Sequence, residues 1–280
     1  MPQPRVLIFD SGLGGLTVLA EVMRQRPDVQ CLYAADDAGF PYGRLSGPAL
    51  IARVGTVIGA LVADHAPDAI VIACNTASTL VLPHLRAAYP HIPVIGTVPA
   101  VKPAATQSRS NLISVLATPG TVARDYTHDL VRTYAAHCDV TLVGSTKLAG
   151  LAEAFMKGET VSDAAITAEI APSFVERESQ RTDCIVLACT HYPLLLAQFE
   201  RLAPWPVAWI DPAEAIARRL DHVLRQDLGQ DLGLVPEAIE AGPHAALFTS
   251  GGAPSPALAA ALAERGIGRI VEHSIPMAVA

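Results

Sequence analysis

The chain has 280 residues, 51% of them apolar and 17% charged, which suits two domains with real cores and excludes a disordered tail. Its net charge is −7 and its one basic cluster is the pair Arg218–Arg219, more often a solvated helix face, so nucleic-acid binding is not expected. The five cysteines, Cys31, Cys74, Cys138, Cys184 and Cys189, are odd in number and form no CxxC pair, which argues against a disulfide framework or a structural zinc site.

In chain order, residues 5–9 form a short apolar run that predicts a first strand. A run this short before an aspartate is not a secretory signal, so a cytoplasmic address is expected. A Gly-rich turn and an amphipathic stretch to Arg26 follow, then a second short run at residues 31–34. Residues 48–64 have helical spacing, and residues 69–73 read as a fully apolar strand of the buried parallel type. The most apolar stretches, 54–63 and 69–73, are interrupted by Asp64 and His65 and fall short of the ~18 residues that a membrane span needs. Residues 78–89 read as a helix and 93–96 as a strand. This alternation predicts the α/β class with a doubly wound parallel sheet.

The second half repeats the first. The run from Asp68 to Thr76 aligns with the run from Asp183 to His191, an offset of 189 − 74 = 115 residues between Cys74 and Cys189. Residues 7–12 align more weakly with 115–120, and 93–99 with 206–212. The repeat predicts two pseudo-symmetric domains, residues 1–98 with 211–280 and residues 99–210, with the active site in the cleft between them. The tail reads as an amphipathic helix (213–225), a loop rich in Gly, Asp and Pro, a strand (246–249) and a last helix (256–265). It is expected to pack back on the first domain.

Ligands of open α/β sheets bind beyond the carboxyl ends of the strands. Four polar clusters occupy such ends: Asp10-Ser11-Gly12, Cys74-Asn75-Thr76, Thr118-Pro119-Gly120-Thr121 and Cys189-Thr190-His191. One cysteine alone would read as a buried packing residue, as Cys31, Cys138 and Cys184 do. Two at matched positions of a repeat, each followed by polar residues, read as an acid–base pair. Racemisation at carbon needs a base on one face and an acid on the other, and two thiols supply both. A free thiol ionises near ~8.5, and turn N–H groups or a helix N-terminus favour the thiolate.

The remaining candidates follow from residue type. Asp10 reads both as a helix cap and as a carboxylate that meets a substrate ammonium or assists Cys74. Residues 12–15 fit neither GxGxxG nor GxxxxGK[ST], so a nucleotide site is not expected. His191 is a candidate proton partner for Cys189. The Pro41-Tyr42-Gly43 turn offers a phenol and an unhindered backbone N–H to a carboxylate. Glu153, on a helix over residues 148–155, is of a kind usually solvated and stays a candidate. Ser11, Asn75, Thr76, Thr118, Thr121 and Thr190 suit carboxylate oxygens. No metal-binding motif is present, and none of Lys102, Lys147 and Lys157 sits in a pyridoxal-phosphate setting. No cofactor is expected.

Four blocks resemble the signature blocks of the glutamate racemases: Ile8-Phe9-Asp10-Ser11-Gly12-Leu13-Gly14-Gly15-Leu16-Thr17, Phe40-Pro41-Tyr42-Gly43, Ala73-Cys74-Asn75-Thr76-Ala77 and Ala188-Cys189-Thr190-His191-Tyr192-Pro193. The resemblance runs from about Val6 to Ala217. It implies cofactor-independent interconversion of L- and D-glutamate, supplying D-glutamate for peptidoglycan, by an enzyme compatible with a homodimer. It implies that Cys74 acts on D-glutamate and Cys189 on L-glutamate, with Asp10 and His191 assisting. It also implies substrate contacts from Asp10, Ser11, Tyr42, Gly43, Asn75, Thr76, Thr190 and His191. The chain departs from the common pattern at Ala35-Asp36-Asp37-Ala38, at Ala188 and over residues 143–149. A racemase of aspartate, hydantoin or another α-acid is the nearest alternative, and the Tyr42-Gly43 turn argues instead for a dicarboxylic amino acid. A non-catalytic binder of small acids would need at most one essential cysteine.

Overall fold

The computed structural model describes residues 3–226 and 244–277. The chain divides into two compact units, Met1–Thr97 with Ala213–Ala280, and Val98–Pro212. The first unit opens with β1 (Arg5–Asp10), α1 (Leu16–Gln25), β2 (Gln30–Ala35), α2 (Gly47–His65), β3 (Ala69–Ile72), α3 (Asn75–Ala88) and β4 (Val94–Gly96). The second unit runs through α4 (Val101–Gln107), β5 (Leu112–Ala117), α5 (Pro119–Val122), α6 (Asp125–Tyr134), β6 (Asp139–Gly144), α7 (Leu148–Met156) and α8 (Asp163–Ile170). It ends with a small hairpin of β7 (Glu176–Arg177) and β8 (Gln180–Arg181), then β9 (Cys184–Ala188), α9 (Leu196–Leu202) and β10 (Ala208–Ile210). The return to the first unit supplies α10 (Ala213–Gln226), β11 (His244–Phe248), α11 (Pro256–Glu264) and β12 (Ile267–Val271).

Both large sheets are parallel. The first has the order β12-β11-β2-β1-β3-β4, the second β10-β9-β5-β6. The run β2-β1-β3-β4 matches β6-β5-β9-β10 strand for strand. The α/β class and its parallel sheets are those expected from the alternating pattern. The apolar runs exist because helices cover both faces: β3, β5 and β9 are buried along their whole length. A detail of the repeat is visible at the opposite end of the strands. Asp68 accepts a hydrogen bond from the Arg5 N–H at 2.7 Å, and its counterpart Asp183 accepts from the N–H groups of Arg109 and Ser110 at 2.7 and 2.9 Å. Each carboxylate thus ties the start of a third core strand to the start of the first.

Three local features differ from the sequence reading. α3 starts at Asn75, directly after Cys74, instead of near Ser78. Its first turn is polar, so apolar periodicity passes over it, yet Asn75, Thr76 and Ser78 are buried there. α2 has 19 residues and, by length and composition alone, could cross a membrane, which the apolar stretches were not expected to reach. In the fold its Leu50, Val54, Val57, Ile58 and Leu61 are buried at helical spacing in the core of the first unit. In the tail the reading passed over one strand: β11 pairs with β2, as a tail packed back on the first unit should, but β12 also pairs with β11, so the returning segment widens the first sheet by two strands. The Gly-, Asp- and Pro-rich loop expected ahead of β11 lies outside the described residues.

Candidate active site

In each sheet the chain departs from its first core strand in opposite directions, which makes a topological switch point. It falls between β1 and β3 in the first unit and between β5 and β9 in the second. Such points are where open α/β sheets bind ligands. The cysteines stand there.

In the first unit, Asp10 ends β1 and Cys74 follows β3 as the residue that caps α3. Cys74 is only 5% exposed, and its thiol lies 3.8 Å from the Ser11 hydroxyl. Ser11 Oγ in turn lies 3.5 Å from Asp10 Oδ1. The other Asp10 oxygen, Oδ2, accepts the Gly15 N–H at 2.8 Å at the entrance to α1. Asp10 therefore anchors the loop through Gly15, and Ser11 stands between its other oxygen and the thiol. Gly15 is required sterically: a Cβ there would sit 3.0 Å from the Cβ atoms of Ala73 and Asp10 and 3.1 Å from the Tyr33 ring.

Asn75 and Thr76 open α3 beside Cys74. Asn75 is 2% exposed, and among the described residues neither its amide nitrogen nor its amide oxygen has a hydrogen-bond partner. A buried amide with both ends unmet is costly unless a ligand meets them.

Tyr42 departs from expectation. Its hydroxyl, expected to hold a substrate carboxylate, donates instead to Asp36 Oδ2 at 2.5 Å. Burial, reinforced by Asp36, pushes the phenol well above its usual ionisation range, so it stays a donor. Asp36 also accepts from Arg53 Nε at 2.9 Å, Arg53 Nη2 at 2.5 Å and Thr249 Oγ1 at 2.6 Å. Arg53 further donates to the carbonyls of Ile275 and Pro276 at 2.6 and 2.8 Å. What the turn presents is Gly43, which is exposed and at which a Cβ would meet nothing within 4 Å among the described residues. This network was not visible in the sequence. The one signal was two adjacent aspartates after an apolar strand, where one would suffice to cap a turn.

In the second unit, Thr118 follows β5 and caps α5, accepting the Thr121 N–H at 3.3 Å; the two hydroxyls lie 3.1 Å apart. Cys189 follows β9 and is 7% exposed, and Thr190 beside it is buried. The Cys189 sulfur lies 3.9 Å from His191 Nδ1. His191 Nε2 lies 2.8 Å from Glu153 Oε1, and the other Glu153 oxygen pairs with Lys157 Nζ at 3.3 Å. Glu153 is buried on α7, not solvated as glutamates on helices usually are. With Nε2–H donated to the carboxylate, the lone pair of neutral His191 Nδ1 faces the thiol. Each thiol is thus linked to a buried carboxylate through one side chain: Ser11 and Asp10 behind Cys74, His191 and Glu153 behind Cys189.

The other cysteines differ. Burial, with the nearby Asp28, pushes the Cys31 thiol up to about 12, and burial with the adjacent Asp183 does the same for Cys184. Burial also raises Cys138. These three are packing residues with no thiolate at neutral pH.

The profile of the Asp/Glu/Hydantoin racemase family matches residues 16–220, a span that contains both cysteines. The chain belongs to this family. Within it, the chain is 56% identical to the glutamate racemase of Brucella canis over 223 residues, 80% of each chain. Among solved structures of the family, it is similar to the glutamate racemase of Escherichia coli in complex with L-glutamate and the activator UDP-MurNAc-Ala. The identity is 35%, the TM-score 0.87, and the match covers 99% of this chain and 100% of that one. It is also similar to the glutamate racemase of Thermus thermophilus in complex with beta-chloro-D-alanine, at 28% identity and TM-score 0.70, covering 98% of each. Like these relatives, this chain is an amino-acid racemase, an isomerase.

Proposed function

We propose that this racemase interconverts L- and D-glutamate with Cys74 and Cys189 as its two acid–base groups and no cofactor. The observation that carries the reading is the matched pair of thiol–carboxylate links at equivalent strand ends of a repeated fold. Inversion at Cα needs one base and one acid on opposite faces of the carbon, and the repeat supplies one thiol per unit. One sulfur, as thiolate, takes the Cα proton and becomes a thiol. The electron pair passes to the substrate carboxylate, and the other thiol returns a proton to the opposite face and is left as thiolate. The net reaction consumes nothing, and the two sulfurs have exchanged protonation states. Asp10, through Ser11, and His191, held by Glu153, assist this exchange.

In this reading the Asn75 amide, whose two ends are unmet among the described residues, binds a ligand carboxylate or ammonium. Ser11, Thr76, Thr118, Thr121, Thr190 and the Gly43 backbone complete the polar lining in this reading. Tyr42 contributes by shaping the turn, since its hydroxyl is bonded to Asp36. The product D-glutamate serves peptidoglycan synthesis, and the enzyme works in the cytoplasm, away from membranes and nucleic acid, as a soluble protein that can form a homodimer. Cys74 acts on D-glutamate and Cys189 on L-glutamate, an assignment that rests on the resemblance alone.

Deuterium incorporation at Cα from D₂O tests the reading. The native enzyme exchanges and inverts both enantiomers, with D- and L-glutamate preferred over D- and L-aspartate. Cys74→Ser and Cys189→Ser each lose racemisation by at least about 100-fold, the lower range of general acid–base effects. Near-native racemisation by either variant would sink the two-thiol mechanism.

A further inference from the structure

Tyr192, three residues after Cys189, is used by none of the steps above. It is fully buried in the core of the second unit, in the same cluster as Cys189. Its backbone N–H donates to the Cys189 carbonyl at 3.0 Å, at the start of the short helical turn that carries it, and its side chain packs in the same buried cluster as Cys189. Among the described residues its hydroxyl has no hydrogen-bond partner. That is unusual for a buried tyrosine, whose hydroxyl normally finds one. The hydroxyl stands beside the Ser145 hydroxyl and the Cys189 sulfur without bonding either; burial first, then the charge that Cys189 can carry, holds the phenol un-ionised. Ser145 is already committed, donating to Glu169 at 2.6 Å and accepting from the Leu148 N–H at 3.0 Å.

The counterpart beside Cys74 is Tyr42, whose hydroxyl is spent on Asp36. Each thiol therefore has a buried phenol near it, and only the one beside Cys189 has its proton to give. We infer that Tyr192 is a positioning residue that donates a hydrogen bond to the Cys189 sulfur when that sulfur is a thiolate, and releases it when the thiol forms. The inference rests on the two-thiol reading for its catalytic meaning. A phenol that is unmet beside a neutral thiol gains a strong acceptor when the sulfur is charged, so the bond favours the charged form. Among the described residues, the other charged and titratable groups around Cys189 are His191 on its own turn, Glu153 on α7 with Lys157 at that helix's end, and, beyond Ser145, Glu169 of α8 with Lys147. Tyr192→Phe leaves all of them in place.

The test uses the full chain with Cys74→Ala, so that iodoacetamide labelling of Cys189, read on its own peptide by mass spectrometry, reports that thiolate from pH 6 to pH 10. Tyr192→Phe is expected to move the profile up by about 1 pH unit, a roughly tenfold slower labelling at neutral pH. It is also expected to keep or raise Tm, because it deletes an unmet buried hydroxyl. In the chain with both cysteines, the same variant slows Cα exchange of one enantiomer more than the other, and the gap closes at high pH. Tyr42→Phe serves as the control: it lowers Tm and leaves the Cys189 profile unmoved. A Tyr192→Phe profile that coincides with its parent would overturn the inference, whatever happens to Tm. Because labelling reads the sulfur directly, that result is distinct from racemisation surviving Cys189→Ser, which would overturn the mechanism and leave the hydrogen bond standing.

Discussion

Glu153 shows how a residue of ordinary type acquires a role from one contact. Its carboxylate fixes which nitrogen of His191 carries a proton, and so what His191 offers to Cys189. Glu153→Gln keeps the shape and can still accept from Nε2–H, but it removes the charge that stabilises a protonated imidazole. Initial rates in both directions are expected to fall by about 100-fold, with KM little changed. A rise in KM with kcat unchanged would instead place Glu153 in substrate binding. The spectator cysteines give a simpler test. With burial holding Cys31 and Cys184 up to about 12, iodoacetamide at pH 7.5 should label Cys74 and Cys189 of the folded enzyme and spare those two. Peptide mapping after denaturation with a second, mass-distinct reagent reads the difference.

At the scale of elements, what matters is how the loops leaving the strands are held. The β1–α1 loop is packed so closely that Gly15→Ala would put a methyl group against Ala73, Asp10 and Tyr33 at once. Two of these contacts are Cβ atoms on strands or strand ends, which cannot swing aside. The expected cost is about 1–3 kcal/mol in urea unfolding, with activity falling as well, because the Gly15 N–H is a ligand of the Asp10 carboxylate. An unchanged unfolding midpoint would mean that the loop gives way. At the opposite strand ends, Asp183 accepts three hydrogen bonds, from Ser108 Oγ at 2.6 Å and from two backbone N–H groups. Asp183→Asn keeps the shape and loses charge, and should cost about 1–2 kcal/mol without altering the catalytic rates. The elements themselves were largely legible in the sequence, because fully buried parallel strands must be continuously apolar and the covering helices must be amphipathic. The start of α3 was not, since its first turn is polar for the sake of the site.

Across the whole molecule, the buried ion pair of Asp36 and Arg53 ties residues far apart in sequence: Tyr42 near one end, and Thr249, Ile275 and Pro276 in the returning tail. Arg53→Met leaves the Asp36 charge buried with only hydroxyl partners, and should destabilise the first unit by about 3–5 kcal/mol. Thermal unfolding at neutral pH checks this, and a loss below about 1 kcal/mol would show that the pair is replaceable. Acid stability follows from carboxylates held below their ordinary range. For Asp28 burial opposes ionisation, but the Arg26 guanidinium outweighs it; for Asp183 the hydrogen bonds from Ser108 and the backbone outweigh burial. Their folded values lie below the unfolded value of about 3.9, so unfolded chain binds protons first as pH falls. Their contribution is complete above about pH 4 and is lost as pH falls through the folded values. Urea midpoints should hold between pH 5 and 7 and drop steeply below pH 4.

The sequence by itself determined the parallel α/β class, the repeat and the two cysteines at matched strand ends, because each is written in local order: hydrophobic period, run length and a constant offset. It also supplied Asp10, Ser11, Asn75 and His191, which sit within two residues of a strand end or a cysteine. Only the tertiary structure decided which partner each side chain found. Glu153 lies 38 residues from His191, and Thr249 lies 213 residues from Asp36. A hydrogen bond depends on tenths of an ångström, and that precision comes from packing between distant segments. The same packing turned the Tyr42 hydroxyl toward Asp36 and left that of Tyr192 unmet beside a thiol, although both residues are tyrosines in signature blocks of the same resemblance.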